Sequence, residues 1–213
     1  MNLMKGPSKP KPPHLIVDNW YSPDEEKRIW TELDFYSHKN KFERAETEHI
    51  AKDENGKYLG EHFRVHLDNL YTDEARKLNI SDIFNCFSKT QTPKFREAIK
   101  SCCSPYFQRT FTQIDTFYSL VSYYENNDYY KPHHDIFSWT ILIWFFREPK
   151  AFTGGDLIFP EYNNYRVECK HNRLIAFPSY NLHGVETINI PKEKRGKGFG
   201  RYTITHFLHC KKI

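Results

Sequence analysis

Three consecutive residues, His133, His134 and Asp135, stand directly ahead of the most apolar run in the chain, WTILIWFF from Trp139 to Phe146. On extended backbone, successive side chains alternate between faces. His133 and Asp135 therefore point the same way, with Cα atoms roughly 7 Å apart at the strand rise, and His134 points the opposite way. An imidazole and a carboxylate so placed can converge on one ion. His183, in FPSYNLHGVE just after the strand-like NRLIAF and a turn, is the best third ligand. Two histidines and one carboxylate form a facial triad, the ligand set of non-haem Fe(II) oxygenases. Three protein ligands on one face of an octahedron leave three positions open, for a bidentate co-substrate and for O2. One carboxylate supplies only one compensating negative charge, so an anionic keto acid is welcome there.

A keto acid with a second carboxylate needs an anchor at its far end. Arg201 opens the strand pattern GRYTITHF, and Thr203, two residues on, shares its face. A planar guanidinium holds a carboxylate through paired hydrogen bonds, and a hydroxyl can add one more. Arg195, in the Lys- and Gly-rich stretch INIPKEKRGKGFG, is a rival anchor; Arg201 is preferred because it begins a strand. His206 falls on the opposite face from Thr203. His14, His38, His49, His62, His66 and His171 lie mostly in polar stretches and are expected to be solvated.

The elements that must position these groups read as follows. Ser22-Pro23-Asp24-Glu25 is a helix start, with Ser22 as cap, Pro23 in the first turn and Glu25 reaching back. Ile29, Trp30 and Leu33 then share one helical face. LIVDNW, Leu15 to Trp20, reads as a strand. Asn55-Gly56 marks a hairpin turn within the polar segment 41–69. Two more helices are expected, over about 81–89 and 93–103, the second ending before Pro105. From Phe117 the character changes to short β-branched and aromatic runs separated by turn residues. No helix-length segment divides them, so the fold class is α+β and mainly β: an antiparallel sheet curled into a barrel or sandwich, with the early helices buttressing one face.

Bulk composition suits this reading. The chain has 213 residues, 38% apolar and 27% charged, enough for one domain with a real core. A net charge of +4 is too small to argue for nucleic acid or a membrane surface. The eight-residue apolar run is too short to span a bilayer, and MNLMKGPSKPKPP lacks the apolar stretch of a secretory signal. The five cysteines are odd in number and lack zinc-site spacing. Reduced thiols in a cytoplasmic protein are expected. Residues 1–13 read as a flexible Lys/Pro-rich tail and 14–213 as a single domain, its barrel core at about 117–209.

YENNDYYKPHHDIF, Tyr124 to Phe137, resembles the iron-binding segment of the prolyl 4-hydroxylase branch of the Fe(II)/2-oxoglutarate-dependent dioxygenases, where the pattern is Y-x-x-G-x-x-Y-x-x-H-x-D. TILIWFFREPKAFTGGDLIFP resembles the strand, Gly-Gly turn and strand that follow, and NRLIAFPSYNLHGVE the approach to the distal histidine. KFERAETEHIAKDENGKYLGEHFRVHLDN, residues 41–69, is similar to the family's loop over the peptide groove. The resemblance departs at Asn127, where the family has glycine, and in the step of 18 positions from His183 to Arg201, where about ten are usual.

The resemblance implies a double-stranded β-helix of the jelly-roll or cupin-like kind. It implies His133, Asp135 and His183 on Fe(II), Arg201 on the distal carboxylate of 2-oxoglutarate, Tyr124 as a further hydrogen bond to that co-substrate, and Arg64 near a substrate peptide. It implies hydroxylation of a C–H bond with release of succinate and CO2, on a proline-containing peptide or protein, and raises ascorbate as an accompanying reductant. A free amino acid or small metabolite is the alternative substrate, and a catalytically silent metal-binding module the alternative class. Asp135 argues against a halogenase. Phe207 stands where the family's nucleic-acid dealkylases carry a second arginine, so no nucleic-acid partner is expected.

Overall fold

A computed structural model describes residues 11–44, 50–71 and 80–210. The tail read at 1–13 lies outside the described residues up to residue 10, as do residues 45–49, with His49, of the 41–69 segment.

Helix α1 (Pro23–His38) begins as its sequence dictates. The Ser22 hydroxyl accepts from the Glu25 N–H, and the Glu25 carboxylate accepts from the Ser22 N–H. Ile29 and Leu33 are fully buried, and Trp30 packs beside them. Among the described residues four shorter helices follow: α2 (Leu67–Leu70), α3 (Asp82–Phe87), α4 (Pro93–Cys102) and α5 (Pro105–Thr112). Pro105 does end α4, but it also opens α5, because the first turn of a helix needs no N–H from that residue.

The remaining strands form two antiparallel sheets. The larger runs β1 (Leu15–Val17), β10 (Arg173–Pro178), β7 (Trp139–Phe145), β12 (Arg201–His209), β5 (Thr116–Tyr124), β4 (Phe63–His66), β2 (Glu43–Arg44). The smaller runs β3 (Gly60–Glu61), β6 (Tyr129–His133), β11 (His183–Val185), β8 (Leu157–Phe159), β9 (Tyr165–Val167). From β5 onward the chain alternates between the sheets, interrupted only by the β8–β9 hairpin. This is the double-stranded β-helix arrangement. Among the described residues the two sheets remain separate ladders, so the barrel is not closed by a continuous ring of hydrogen bonds. The Lys-rich connection before β12 is accordingly a crossover between sheets.

Strand β7 explains the apolar run. It lies inside the larger sheet, and all seven of its residues are buried, as expected of a strand covered on both faces. Ile141, Ile143 and Phe145 join the core formed with α1, α3 and α4, while Leu142 and Trp144 join a second core with Phe159 and Phe177 from between the sheets. The even-numbered face also carries Thr140, which reaches the candidate site. Among the described residues, no helix is long and apolar enough to cross a membrane.

Candidate functional site

The pairing of β11 with β6 sets His183 directly opposite His133, which is how two residues far apart in sequence meet. Gly184 permits this approach: a Cβ there would lie 3.0 Å from the Tyr130 carbonyl oxygen and the Pro132 nitrogen. Asp135 sits just past the end of β6. Its N–H donates to the Ser179 carbonyl at 3.1 Å, and its Oδ2 accepts from the Thr140 hydroxyl at 2.7 Å. Thr140 and Ser179 share a further hydroxyl contact at 2.8 Å.

The three side chains converge. Nε2 of His133 is 3.4 Å from Asp135 Oδ1, and Nε2 of His183 is 3.4 Å from Oδ2. One ligand atom from each residue lies within 4.8 Å of the others. His133 Nδ1 faces the Lys131 carbonyl at 2.9 Å, and His183 Nδ1 faces the Asn181 carbonyl at 2.8 Å. A carbonyl can only accept, so each Nδ1 carries a proton and each Nε2 is left as the atom facing Asp135. Burial alone would raise the Asp135 carboxyl, but the two imidazoles outweigh it and hold it well below the usual carboxylate range. Two imidazole Nε2 atoms and a partly buried carboxylate, each side chain fixed by its own hydrogen bond, form a donor set that fits a divalent transition metal.

A second polar cluster lies on β12. Arg201 is 1% exposed, with its guanidinium 4.2 Å over the Tyr124 ring, and its Nη1 donates to the Gly155 carbonyl at 2.5 Å. Gly155 is required there: its φ is +80°, and a Cβ would stand 2.5 Å from Ile188 Cδ1. Arg201 Nε and the neighbouring Thr203 Oγ1 are buried without a hydrogen-bond partner. A buried cation with unfilled donor capacity is costly unless an anion completes it. The arrangement fits a carboxylate. The rival Arg195 is exposed and donates its Nε to the Ile190 carbonyl at 2.9 Å, away from the cavity.

Both clusters open into one cavity of about 740 Å³. Tyr124 and Tyr130 form the wall between them. Burial raises both phenols, Tyr130 to about 12. The Tyr130 ring stacks on His133 at 3.7 Å, and its hydroxyl accepts from the Ala51 N–H at 3.1 Å. Arg64, on β4 opposite Ser122, is buried and lines the same cavity. Its guanidinium pKa is lowered by burial and supported by the Tyr130 and Tyr124 hydroxyls. His134 is exposed, its Nδ1 against the Tyr180 carbonyl at 2.6 Å. Asn127 has φ +70°, so the left-handed turn that glycine makes elsewhere is kept.

Sequence reasoning missed three things here. Thr140 and Ser179 steady Asp135, with no signal in sequence to reveal it. His171 is not solvated: Nε2 meets Glu26 at 2.8 Å and the ring stacks on Trp30. His62 is 3% exposed and lines the cavity; its alternation with Arg64 along FRVH's approach was the available clue.

Residues 119–209 match the family model described as 2OG-Fe(II) oxygenase superfamily. That span contains His133, Asp135, His183 and Arg201. The matched segment resembles a 2OG-Fe(II) oxygenase domain. That match implies Fe(II), 2-oxoglutarate and O2, and the His133, Asp135 and His183 cluster could bind the iron. Solved structures of similar shape include a Pseudomonas putida prolyl-4-hydroxylase (TM-score 0.63, 15% identity, 94% of each chain covered). A Trichoplax adhaerens prolyl hydroxylase, in complex with a hypoxia inducible factor oxygen degradation domain peptide fragment, matches at TM-score 0.63 and 14% identity over 93% of this chain and 84% of that one. The viral collagen prolyl hydroxylase of Paramecium Bursaria Chlorella virus-1, in its 2OG complex, matches at 0.55 and 13% over 94% and 97%. At such identities the likeness is one of fold. No curated protein gave a significant sequence match.

Proposed function

We propose that the chain is an Fe(II)- and 2-oxoglutarate-dependent hydroxylase of a peptidyl residue, with proline the favoured target. The observation that carries the reading is the meeting, in one cavity, of the His133–Asp135–His183 donor set and a buried Arg201 whose Nε lacks a partner. His133, Asp135 and His183 would hold Fe(II). Arg201 and Thr203 would hold the distal carboxylate of 2-oxoglutarate, with Tyr124 beneath the guanidinium. Bound iron with 2-oxoglutarate and O2 supplies the oxidising power that turns the keto acid into succinate and CO2 and places a hydroxyl on carbon.

The protein's own part is to bind, orient and exclude water. Gly155 fixes Arg201, Thr140 and Ser179 fix Asp135, and the two backbone carbonyls fix the imidazole tautomers. Arg64 is placed on the cavity wall to meet an acceptor on the substrate. Tyr118, Phe137 and Phe207 line the same cavity, Phe137 stacking on Phe207 at 4.5 Å; an apolar pyrrolidine ring suits that surface. The peptide complex of a prolyl hydroxylase of similar fold supports a peptide substrate.

The test is mass spectrometry of proline-rich peptides after incubation with protein, Fe(II), 2-oxoglutarate and air. A gain of one oxygen on proline is expected. Oxidation of free amino acids or other small molecules only would overturn the peptidyl assignment, and metal binding without 2-oxoglutarate consumption would make the domain a silent binding module.

A further inference from the structure

The chain passes from the smaller sheet to the larger at one residue. Glu61 ends β3, Phe63 begins β4, and His62 lies between them, on the cavity wall. Its ring stacks on Tyr124 with centroids 4.7 Å apart and planes 11° from parallel, and it reaches Tyr130 at 5.4 Å. Tyr124 is the ring under the Arg201 guanidinium, and Tyr130 is the ring on His133. His62 thus stands between the cationic end of the cavity and the metal-ligand end.

Its Nδ1 is buried with neither solvent nor a partner. Buried polar atoms are nearly always satisfied, so an exception calls for a cause. Of the other such atoms in this cavity wall, Arg201 Nε and Thr203 Oγ1 belong to the carboxylate pocket. Packing does not account for the one on His62. A stacked ring between two tyrosines needs no nitrogen, and phenylalanine would fill the place without leaving a polar atom unpaired.

We infer that His62 is a further co-substrate-binding residue, its imidazole hydrogen-bonded to an oxygen of the bound 2-oxo dicarboxylate while its ring holds Tyr124 in place. Burial, with Arg64, Arg201 and Arg44 nearby, lowers the imidazole pKa well below its ordinary value. The ring is therefore neutral and offers one donor and one acceptor. This extends the proposed function and depends on it, since the ligand is the one that reading places on Arg201.

Calorimetric titration of 2-oxoglutarate into the Fe(II)-loaded protein under nitrogen separates the two. His62→Phe keeps the stack and removes both nitrogens; its Kd is expected to rise about tenfold, the worth of one hydrogen bond. His62→Gln, which keeps a donor, is expected to recover most of that loss, with Fe(II) affinity unchanged in both. Independently, the His62 ring ¹⁵N signals of the wild-type zinc-loaded protein are expected to move when 2-oxoglutarate is added. An unchanged Kd in His62→Phe, alongside weakened binding in Arg201→Ala, overturns the role of His62 and leaves the proposed function standing. Wild-type protein that does not bind 2-oxoglutarate overturns both. Should His62→Phe fail to fold, unmoved wild-type ¹⁵N signals are the contradicting result.

Discussion

The two faces of β12 face different tasks with the same backbone. Tyr202, Ile204 and Leu208 turn toward the helices and join a packed apolar core. Arg201, Thr203 and Thr205 turn into the cavity, almost as deeply buried, yet Arg201 Nε and Thr203 Oγ1 have no partner. Burial is thus the wrong guide to function in this strand. The helix face is buried and mostly apolar, so its residues hold the sheet. The cavity face is buried, polar and open to the cavity, the arrangement that the proposed function assigns to ligand binding. His206 is the polar exception on the helix side: its Nδ1 meets the Ser119 hydroxyl at 2.7 Å, its ring packs against Phe87, its Nε2 is buried without a partner, and it does not line the cavity.

Substitutions on the two faces should separate stability from binding. The largest effect belongs to the helix face. Ile204→Ala leaves a hole in the core and should cost about 2–5 kcal/mol of unfolding free energy, read by denaturant titration, with 2-oxoglutarate affinity unchanged in the folded fraction. Weakened co-substrate binding there would erase the distinction between the faces. Next comes Arg201→Ala, which should weaken 2-oxoglutarate binding about 10–100-fold, the loss of a charge-assisted hydrogen-bond pair. An unaltered 2-oxoglutarate requirement would move the anchor elsewhere.

The smallest effect, taken per pH unit, is a slope. Burial pulls the His206 pKa down to about 3 from 6.5. Between those values the unfolded chain binds a proton that the folded chain does not. This contribution to stability is fully present above about pH 6.5 and is lost as pH falls toward 3, by at most ~1.4 kcal/mol per pH unit. Urea unfolding at several pH values should show a shallower acid slope in His206→Leu than in the wild type. An identical slope would mean that other groups carry the acid sensitivity.

Much of the site could be read in the chain because strands repeat every two residues. H-x-D put His133 and Asp135 on one side, and R-x-T did the same for Arg201 and Thr203; the Gly-Gly pair marked a turn, but not that the Gly155 carbonyl receives Arg201. The Ser22–Glu25 box set the start of α1. What stayed hidden depended on tertiary path. His62 sits in a polar stretch, and only the crossing from β3 to β4 buries it. The α5 helix was missed because proline ends one helix and begins another with equal ease. The division of the strands into two unclosed sheets follows from pairings such as His183 with His133, which no local pattern encodes.

The most direct single measurement is succinate formed from 2-oxoglutarate with Fe(II) and O2, wild type beside Asp135→Ala. Iron-dependent succinate release by the wild type, falling to background in Asp135→Ala with the fold intact, is the expected result. Undiminished release by Asp135→Ala, or none from iron-loaded wild type under any substrate supplied, would contradict the assignment of this cavity.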